Sequence, residues 1–265
     1  MRAALISIAT LLMAACSTAP SNQQAVADLA PTGKLRAAIN VGNAVLAARP
    51  ATPGGEPTGI SVDLARELAR RLGVPLQLVV FDAAGKVVDA GKTGSWDIAF
   101  VALDPKRAAE IAQSPPYVQI EGSYLVKNDS PLKSNDEVDR KGHRVVVGRN
   151  SAYDLYLTRE LKQAQIVRTP TSGAVVDTML KENYEVSAGV KQALENDARR
   201  IPGVRLLPGR FMVINQAMAS QRNKEAGARY VREFIEEMKA SGFVARAIER
   251  HQQPSAVVAP PGDPK

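Results

Sequence analysis

Two polar groups in this 265-residue sequence stand where a sheet-based protein binds small anions. Arg107 comes shortly after the apolar run 97–103, which is predicted to be a buried strand, and open α/β sheets bind ligands outside the carboxyl ends of their strands. Ser151 is predicted to cap the helix 153–161, whose free N–H groups attract anions. Each residue also has a structural interpretation, Arg107 as a surface helix residue near Asp104 and Ser151 as a plain helix cap.

Motifs of common enzymes and metal sites are not found in the sequence. His143 and His251 are far apart and neither adjoins the cysteine, so no metal-ligand spacing appears. There is no G-x-S-x-G elbow, Gly-rich phosphate loop or dinucleotide fingerprint. Glu121 and Asp104 are the carboxylates that we can place as a general acid or base, and neither has a supporting motif. The sequence therefore predicts a protein that is not an enzyme, with no metal and no cofactor.

The single cysteine, Cys16, follows an export signal. Arg2, the apolar run 3–13 and two alanines precede it, which is the layout of a secretory signal peptide. The apolar run of about 11 residues is too short to span a bilayer, which needs about 20. Small residues directly before a cysteine resemble the bacterial lipobox, so we predict a signal peptide over 1–15 and a lipidated Cys16. The alternative is an ordinary signal peptide with a cysteine near the cut; either way the protein leaves the cytoplasm.

Composition indicates a globular chain with a basic surface. Hydrophobic residues make up 45% of the chain, which is ordinary for a protein with a sizeable core. The net charge is +7, but the basic residues form no run of four and aromatic residues are only 5%, so we expect no nucleic-acid binding. A basic surface instead suits an anionic cell envelope.

Strand and helix patterns alternate along most of the chain. Leu64, Leu68 and Leu72 form one helical stripe that ends at Gly73. The main predicted strands are 34–41, 75–81, 97–103, 143–148, 165–168, 186–190, 204–207 and 211–219. The main predicted helices are 61–72, 83–90, 151–161, 172–184, 191–200 and a long one from 224. This order predicts two α/β units in series, each with a mainly parallel sheet and flanking helices, followed by a helical segment.

The ends of the exported chain carry few anchoring residues. Small polar residues over 16–32 predict a lipid-anchor tether. Residues 252–265 are rich in Pro, Ala and Val and predict a disordered tail. The crossings between the two α/β units, near 115–124 and 208–216, are predicted to be hinges.

Several segments in one order resemble a known family, the periplasmic solute-binding proteins of family 3, whose polar-amino-acid members feed ABC importers. They are 59–65 (Gly-Ile-Ser-Val-Asp-Leu-Ala), 73–75 (Gly-Val-Pro), 96–99 (Trp-Asp-Ile-Ala), 104–107 (Asp-Pro-Lys-Arg), 114–117 (Ser-Pro-Pro-Tyr) and 238–243 (Met-Lys-Ala-Ser-Gly-Phe). No one motif is decisive, and the resemblance rests on their order and spacing over about 34–250.

The resemblance implies an α/β fold of the type II periplasmic-binding-protein kind, with two lobes, two hinge strands and a ligand in the cleft. It places lobe 1 at 33–115 plus 215–251 and lobe 2 at 122–207. The implied protein is a monomer that binds a small-molecule ligand, is held to the cell envelope by a lipid on the periplasmic side, and works with an ABC permease in the inner membrane.

The resemblance also implies a ligand site. Arg107 matches the family arginine that binds a ligand carboxylate, although the stretch before it is two residues shorter than we expect for the family, and Asp104 replaces a usual Thr. Asn150 and Ser151 stand where the family has a Gly-Thr pair against the same carboxylate. The other candidate ligand-binding residues are Asn43, Ala102, Tyr153 and Lys191.

Two departures from the family bear on the ligand. Asn43 and small apolar residues replace an aromatic residue that often covers the ligand side chain. No Asp is found after the strand 186–190, where amino-acid binders carry one for the ligand ammonium; Lys191 follows instead, unless it is merely an exposed helix-start residue. These features predict a small carboxylate or other anion that needs no ammonium group.

Three functions remain open at this point. The first is a lipoprotein that captures an amino-acid-like solute or organic anion by hinge closure. The second is a periplasmic enzyme on the same fold, similar to a cyclohexadienyl dehydratase, with Glu121 or Asp104 as its acid or base. The third is a ligand-sensing subunit of a membrane receptor.

Overall fold

The computed structural model describes residues 20–50 and 52–262. Within these ranges, one mixed sheet of ten strands is combined with nine α-helices. The strands are β1 (Leu35–Asn40), β2 (Leu76–Phe81), β3 (Ile98–Ala102), β4 (Ile111–Lys127), β5 (Arg144–Gly148), β6 (Gln165–Thr169), β7 (Val186–Val190), β8 (Val204–Leu206), β9 (Met212–Gln221) and β10 (Val257–Val258). The helices are α1 (Pro20–Leu29), α2 (Ile60–Leu72), α3 (Ala84–Gly91), α4 (Pro105–Ala108), α5 (Ala152–Glu160), α6 (Val175–Lys181), α7 (Lys191–Arg200), α8 (Glu225–Ala240) and α9 (Phe243–Arg250).

The strand order β2-β1-β3-β9-β4-β7-β5-β6 divides the sheet into two parallel groups. In the first group β1 runs parallel to β2 and β3, and in the second β5 runs parallel to β6 and β7. Long antiparallel strands β4 and β9 join the groups. We call the elements around β1–β3 lobe 1 and those around β5–β7 lobe 2. The predicted α/β class is confirmed.

Local sequence explains these elements. In α2 the predicted stripe of Leu64, Leu68 and Leu72 is buried, and Gly73 ends the helix in the left-handed conformation at φ 67°. All five residues of β3 are buried, as its continuous apolar sequence predicts. The strands β1, β3 and β9 are neighbours in the sheet. The loops that follow β1 and β3 therefore start from fixed positions.

The predicted tether differs from the structure. Residues 16–19 lie outside the described residues, but 20–29 form α1, which packs on α8. Ala25 and Leu29 are fully buried, and the Asp28 carboxylate accepts a hydrogen bond of 3.0 Å from the Gly227 N–H. These two apolar residues are four positions apart and lie on one helix face. The many small polar residues around them made this face hard to recognise in the sequence.

The predicted disordered tail also differs from the structure as far as residue 262. Strand β10 pairs with β4, and the Ala259 N–H donates to the Tyr117 carbonyl at 3.1 Å. The ammonium of Lys239 donates to the Pro260 carbonyl at 2.8 Å. Backbone hydrogen bonds to β4 therefore hold this segment, whose small side chains contribute little buried area.

Some predictions cannot be examined in the described residues. The signal peptide, Cys16 and residues 263–265 lie outside them. Within the described ranges, none of the helices combines the length and apolar sequence needed to cross a membrane. The predicted hinge segments fall in β4 and at the start of β9, and the lobe boundaries remain predictions.

Candidate functional site

A cavity of about 60 Å³ lies between the lobes at the carboxyl ends of the parallel strands. Lobe 1 contributes the loop after β1, the start of α2 and the end of β3, while lobe 2 contributes the starts of α5 and α7. The polar residues that line it are Asn40, Asn43, Ser61, Arg107, Ser151, Tyr153, Ser172, Asp197 and Gln216. Apolar lining comes chiefly from Leu46, Phe100, Val175, Leu194 and Ile214.

Arg107 is the cation in the wall of this cavity. It lies in α4, whose first turn is fixed by the Asp104 carboxylate accepting from the Lys106 N–H at 2.9 Å. The guanidinium is buried and donates to the Ala102 carbonyl at 3.0 Å and to the Asn150 carbonyl at 2.7 Å. The second bond crosses from lobe 1 to lobe 2.

The charge of Arg107 is not matched by a salt bridge within the described part of the chain. Burial lowers the pKa of Arg107 to about 10, against the opposing influence of Asp104. The side chain is therefore protonated at neutral pH and keeps N–H groups beyond the two bonds to carbonyls. A buried cation in this state favours an anionic ligand.

The start of α5 provides the opposite wall. Ser151 caps the helix, because its Oγ accepts from the Asp154 N–H at 3.0 Å. The preceding Asn150 has φ 56°, and its N–H donates to the Asp154 carboxylate at 2.7 Å. Tyr153 donates its hydroxyl hydrogen to Ser172 Oγ at 2.7 Å. These bonds hold two serine hydroxyls beside the cavity.

Lobe 1 brings small polar groups close to its backbone. A Cβ at Gly42 would lie 2.2 Å from the Asp82 carbonyl oxygen, so only glycine fits this turn. The neighbouring Asn43 lines the cavity, and Ser61 Oγ lies 3.1 Å from the hydroxyl of Tyr117. The loop after β1 thus presents the amide side chain of Asn43 to the cavity.

The structure brings most of the predicted ligand residues together. Arg107, Ser151, Asn43, Ala102 and Tyr153 all line the cavity. Their roles in binding remain predictions.

Asn150 and Lys191 are placed differently from the expectation. Asn150 contributes its backbone carbonyl to Arg107 and is not part of the cavity lining. Lys191 is also outside the lining, because its ammonium pairs with the Glu121 carboxylate at 2.9 Å. The side chain of Lys191, the first residue of α7, thus turns toward β4 in this structure, and its part in ligand binding stays a prediction.

Sequence reasoning missed five polar residues of the cavity, Asn40, Ser61, Ser172, Asp197 and Gln216. Asp197 is an acidic residue of lobe 2 in the lining, and burial raises its pKa while Arg200 opposes that change from 2.9 Å away. It lies one helical turn after Ala193 in α7, so the i, i+4 spacing was the available signal.

Neither proposed acid–base carboxylate lines the cavity. Arg210 and then Lys191 lower the pKa of Glu121, which keeps it ionised. The buried Asp104 carboxylate accepts from Arg159 at 2.8 Å, a contact between the lobes. Within the described residues no cluster of His, Cys, Asp and Glu has the arrangement of a metal site.

The lobes also meet through close backbone packing. A Cβ at Gly85 of α3 would lie 2.8 Å from Cβ of Asn150. This approach, the Arg107 hydrogen bond and the Asp104–Arg159 pair are direct contacts between the two lobes. The described structure is therefore a closed arrangement of the two lobes around a small space.

Comparison with protein families identifies the bacterial extracellular solute-binding proteins of family 3, whose model matches residues 44–254. Among curated proteins, none is significantly similar in sequence. The following solved structures are similar in fold.

A solute receptor for L-cysteine from Neisseria gonorrhoeae has a TM-score of 0.74 and 19% identity, covering 87% of this chain and 94% of that one. An amino-acid ABC-transporter substrate-binding protein from Streptococcus pneumoniae bound to L-arginine has a TM-score of 0.72 and 20% identity, covering 86% and 98%. An ancestral amino-acid-binding protein, a precursor of cyclohexadienyl dehydratase, has a TM-score of 0.71 and 20% identity, covering 85% and 98%. At these identities the likeness concerns the fold.

Proposed function

Because this chain belongs to the bacterial extracellular solute-binding proteins of family 3, we propose that it captures a small carboxylate-bearing solute between its lobes and delivers it to an ABC permease. The observation that carries the proposal is the buried guanidinium of Arg107, held by two carbonyls and paired with none of the described carboxylates. Burying a cation is costly, and an anionic ligand would supply the missing partner.

The size of the cavity limits the ligand. One water needs about 10–15 Å³ of such space, so a cavity of about 60 Å³ holds roughly four to six waters. A short organic acid or the smallest amino acids match this space, whereas a long cationic side chain does not. The apolar wall of Leu46, Val175 and Leu194 suits a short aliphatic group.

The charge balance also favours an anion. Asp197 is the acidic residue in the described lining, and Arg200 already pairs with it. A ligand carboxylate would therefore meet Arg107 and the hydroxyls of Ser151 and Ser172 without a strongly attractive site for an ammonium group. This supports the preference for organic anions over cationic amino acids.

Capture would proceed by hinge closure. Arg107 belongs to lobe 1 and the two serines belong to lobe 2, so a bound anion touches both lobes and stabilises the closed arrangement. The crossing strands β4 and β9 would absorb the change in angle. The pairs that Arg107 and Asp104 make with lobe 2 would break on opening.

Binding without turnover is supported by the position of the carboxylates. Glu121 and Asp104 are engaged by cations outside the cavity lining, so neither is poised to protonate or deprotonate a ligand there. Production of phenylpyruvate or phenylalanine from prephenate or arogenate would instead favour the enzyme.

We further propose that Cys16 carries the lipid that holds the protein to the cell-envelope membrane on the periplasmic side. The residues before it resemble a lipobox. Mass spectrometry of the intact protein from membranes would show a diacylglycerol adduct on a chain that begins at Cys16. A soluble chain cut elsewhere would contradict the anchor.

A ligand screen tests the proposal. The mature protein is unfolded, washed and refolded to remove bound metabolites, and then titrated calorimetrically with short organic acids, small amino acids, L-arginine and L-lysine. We expect micromolar or tighter binding of a short carboxylate. Tight binding of L-arginine or L-lysine, with no response to short acids, would overturn the assigned ligand class.

A further inference from the structure

A second depression, of about 520 Å³, lies between the lobes beside α4 and the start of α5. We call it the basic groove. Its charged lining residues are Lys106, Arg149, Asp154, Arg159 and Arg168, and its other lining residues are Pro105, Asn150, Leu155 and Thr158. Lys106 and Pro105 come from lobe 1, and all the others come from lobe 2, so the groove is shaped by the approach of the two lobes.

Two of the four cations are already neutralised. Arg159 pairs with Asp104 at 2.8 Å, and Arg168 pairs with Asp154 at 2.9 Å. Both carboxylates are buried beneath the arginines. These pairs fix the floor of the groove and leave no spare acidic charge there.

The other two cations, Lys106 and Arg149, are exposed. Neither forms a salt bridge with any residue in the described ranges, so the groove has a net charge of +2 after the two pairs are counted. One of these cations stands on each lobe. An acidic group that contacts both would bind best when the lobes are together, as in this structure.

We propose that the basic groove is the docking surface for an acidic segment of the membrane partner, which recognises the closed form. The inference rests on the proposed function, because that function supplies the partner and the need to distinguish closed from open protein. Charge complementarity of this kind chiefly determines orientation and the rate of encounter.

The shape of the groove favours a protein segment over a small anion. Its free cations sit on exposed side chains at the rim, and the two buried carboxylates of the floor are already paired with arginines, so the described floor holds no unpaired cation for a small anion. A small ion would contact only part of a space of about 520 Å³, while an extended acidic segment can follow its length.

Peptide binding to the mature protein tests the proposal. The probe is a fluorescein-labelled peptide of alternating Glu and Gly, and the comparison peptide has Gln in place of Glu. We expect the Glu peptide to bind, the Gln peptide not to bind, and Lys106→Glu/Arg149→Glu to weaken the affinity at least tenfold. Saturation with the solute found in the screen should strengthen peptide binding at least threefold.

The matched control is Lys34→Glu/Arg229→Glu, which makes the same charge change at two exposed cations distant from the groove. We expect it to alter peptide affinity less than twofold. Equal losses of peptide affinity in the two double variants would show that net charge alone determines binding and would overturn the proposed docking site. Complete displacement by inorganic phosphate at 1 mM, or loss of binding to phosphatidylglycerol vesicles without loss of peptide binding, would assign it to a small anion or a membrane instead.

Solute capture is measured in the same variants. Lys106 and Arg149 lie outside the cavity lining, so we expect solute affinity to stay within twofold of wild type. Intact capture with unchanged peptide binding would reject the groove alone, whereas failure of capture in the wild type would reject the proposed function.

Discussion

Charged side chains at the junction between the lobes are arranged differently around Arg107 and around Glu121. At the first place a buried guanidinium reaches across the cleft, and its hydrogen bonds within residues 20–50 and 52–262 go to carbonyl oxygens. At the second, the half-buried carboxylate of Glu121 accepts from Lys191 at 2.9 Å and from Arg210 at 2.7 Å. The first charge forms no salt bridge within the described part of the chain, and the charges at the second place are paired.

Position along the chain explains the difference. Glu121 belongs to β4, one of the strands that connect the lobes, so its ion pairs are compatible with a lasting link. Arg107 and Asn150 lie on different lobes, and the described contacts there, such as their hydrogen bond and the Asp104–Arg159 pair, are side-chain contacts that can break when the lobes separate. We infer that the unpaired charge belongs to ligand binding and the paired charges belong to the hinge.

Removal of the Arg107 charge should have the largest effect on binding. With Arg107→Met, we expect solute affinity to fall at least a hundredfold, because hydrogen bonds to a charged group contribute about 1.5–3 kcal/mol each. Arg107→Lys should retain part of the affinity, since an ammonium keeps the charge but loses the fork. Calorimetric titration measures both.

Arg205→Met provides a matched control for that substitution. Arg205 also donates to two backbone carbonyls, those of Ser130 and Leu132, at 3.0 and 2.7 Å, but lies away from the cavity. We expect its solute affinity to stay within twofold of wild type. A similar loss in both variants would indicate general damage and remove the contrast between the two places.

Truncation after Gln253 tests whether the C-terminal segment that pairs with the crossing strand β4 affects stability alone or also ligand binding. The deletion removes the pairing of β10 with β4 and the buried residues Ala256 and Ala259. We expect the free energy of unfolding to fall by about 2 kcal/mol, given about 1 kcal/mol per lost hydrogen bond and the lost apolar burial. Urea unfolding measures the loss, and solute affinity should change less than threefold. A tenfold change in affinity would mean that this side also sets the ligand equilibrium.

The C-terminal segment shows where sequence patterns stop being informative. Alternating patterns predicted the parallel strands and main helices, because each buries a regular apolar face. Residues 252–262 have no such face; they are ordered by unpaired backbone groups at the edge of β4, which no local pattern reveals. The same holds for α1, whose buried face depends on α8.

The cavity divides in a similar way. Residues directly after strands or at helix starts, such as Arg107 and Ser151, were predictable because those positions meet at one sheet edge. Asp197 lies in the second turn of α7, and Gln216 lies inside a crossing strand, so their approach to the cavity depends on how lobes and helices pack. Lys191 lies outside the lining because it pairs with Glu121, which is distant in sequence, and no local pattern reveals that pair.

Stability without ligand should respond to Arg107 less than binding does. The lowered pKa of about 10 means that the charged form costs the folded state on the order of 3 kcal/mol at neutral pH. The two hydrogen bonds from the charged guanidinium to carbonyls contribute a similar amount in the opposite direction, about 1.5–3 kcal/mol each. We therefore expect Arg107→Met to lie within about 2 kcal/mol of wild type in urea unfolding.

The pH dependence checks the cause. A base whose folded pKa is lowered carries its full cost below that value and is relieved as the pH rises through it. The stability of Arg107→Met relative to wild type should therefore be constant below pH 9 and fall from about pH 10 upward. A difference between the two proteins that stays unchanged to pH 11 would point to packing rather than to the buried charge.

Neutralising the paired carboxylate should have the smallest effect. We expect Glu121→Gln to cost at most about 1 kcal/mol of unfolding free energy, because its ion pairs are partly exposed, and to change solute affinity less than threefold. Arg210, and then Lys191, lower the pKa of Glu121, so this contribution is present above the ordinary carboxyl pKa and is lost as the pH falls through the lowered value. The unfolding free energies of Glu121→Gln and wild type should converge as the pH drops below about 4.

Glu185→Gln, at the ion pair with Arg144 in lobe 2, is the matched control. A tenfold loss of solute affinity in Glu121→Gln but not in Glu185→Gln would give the hinge carboxylate a direct part in closure and erase the distinction between the two places.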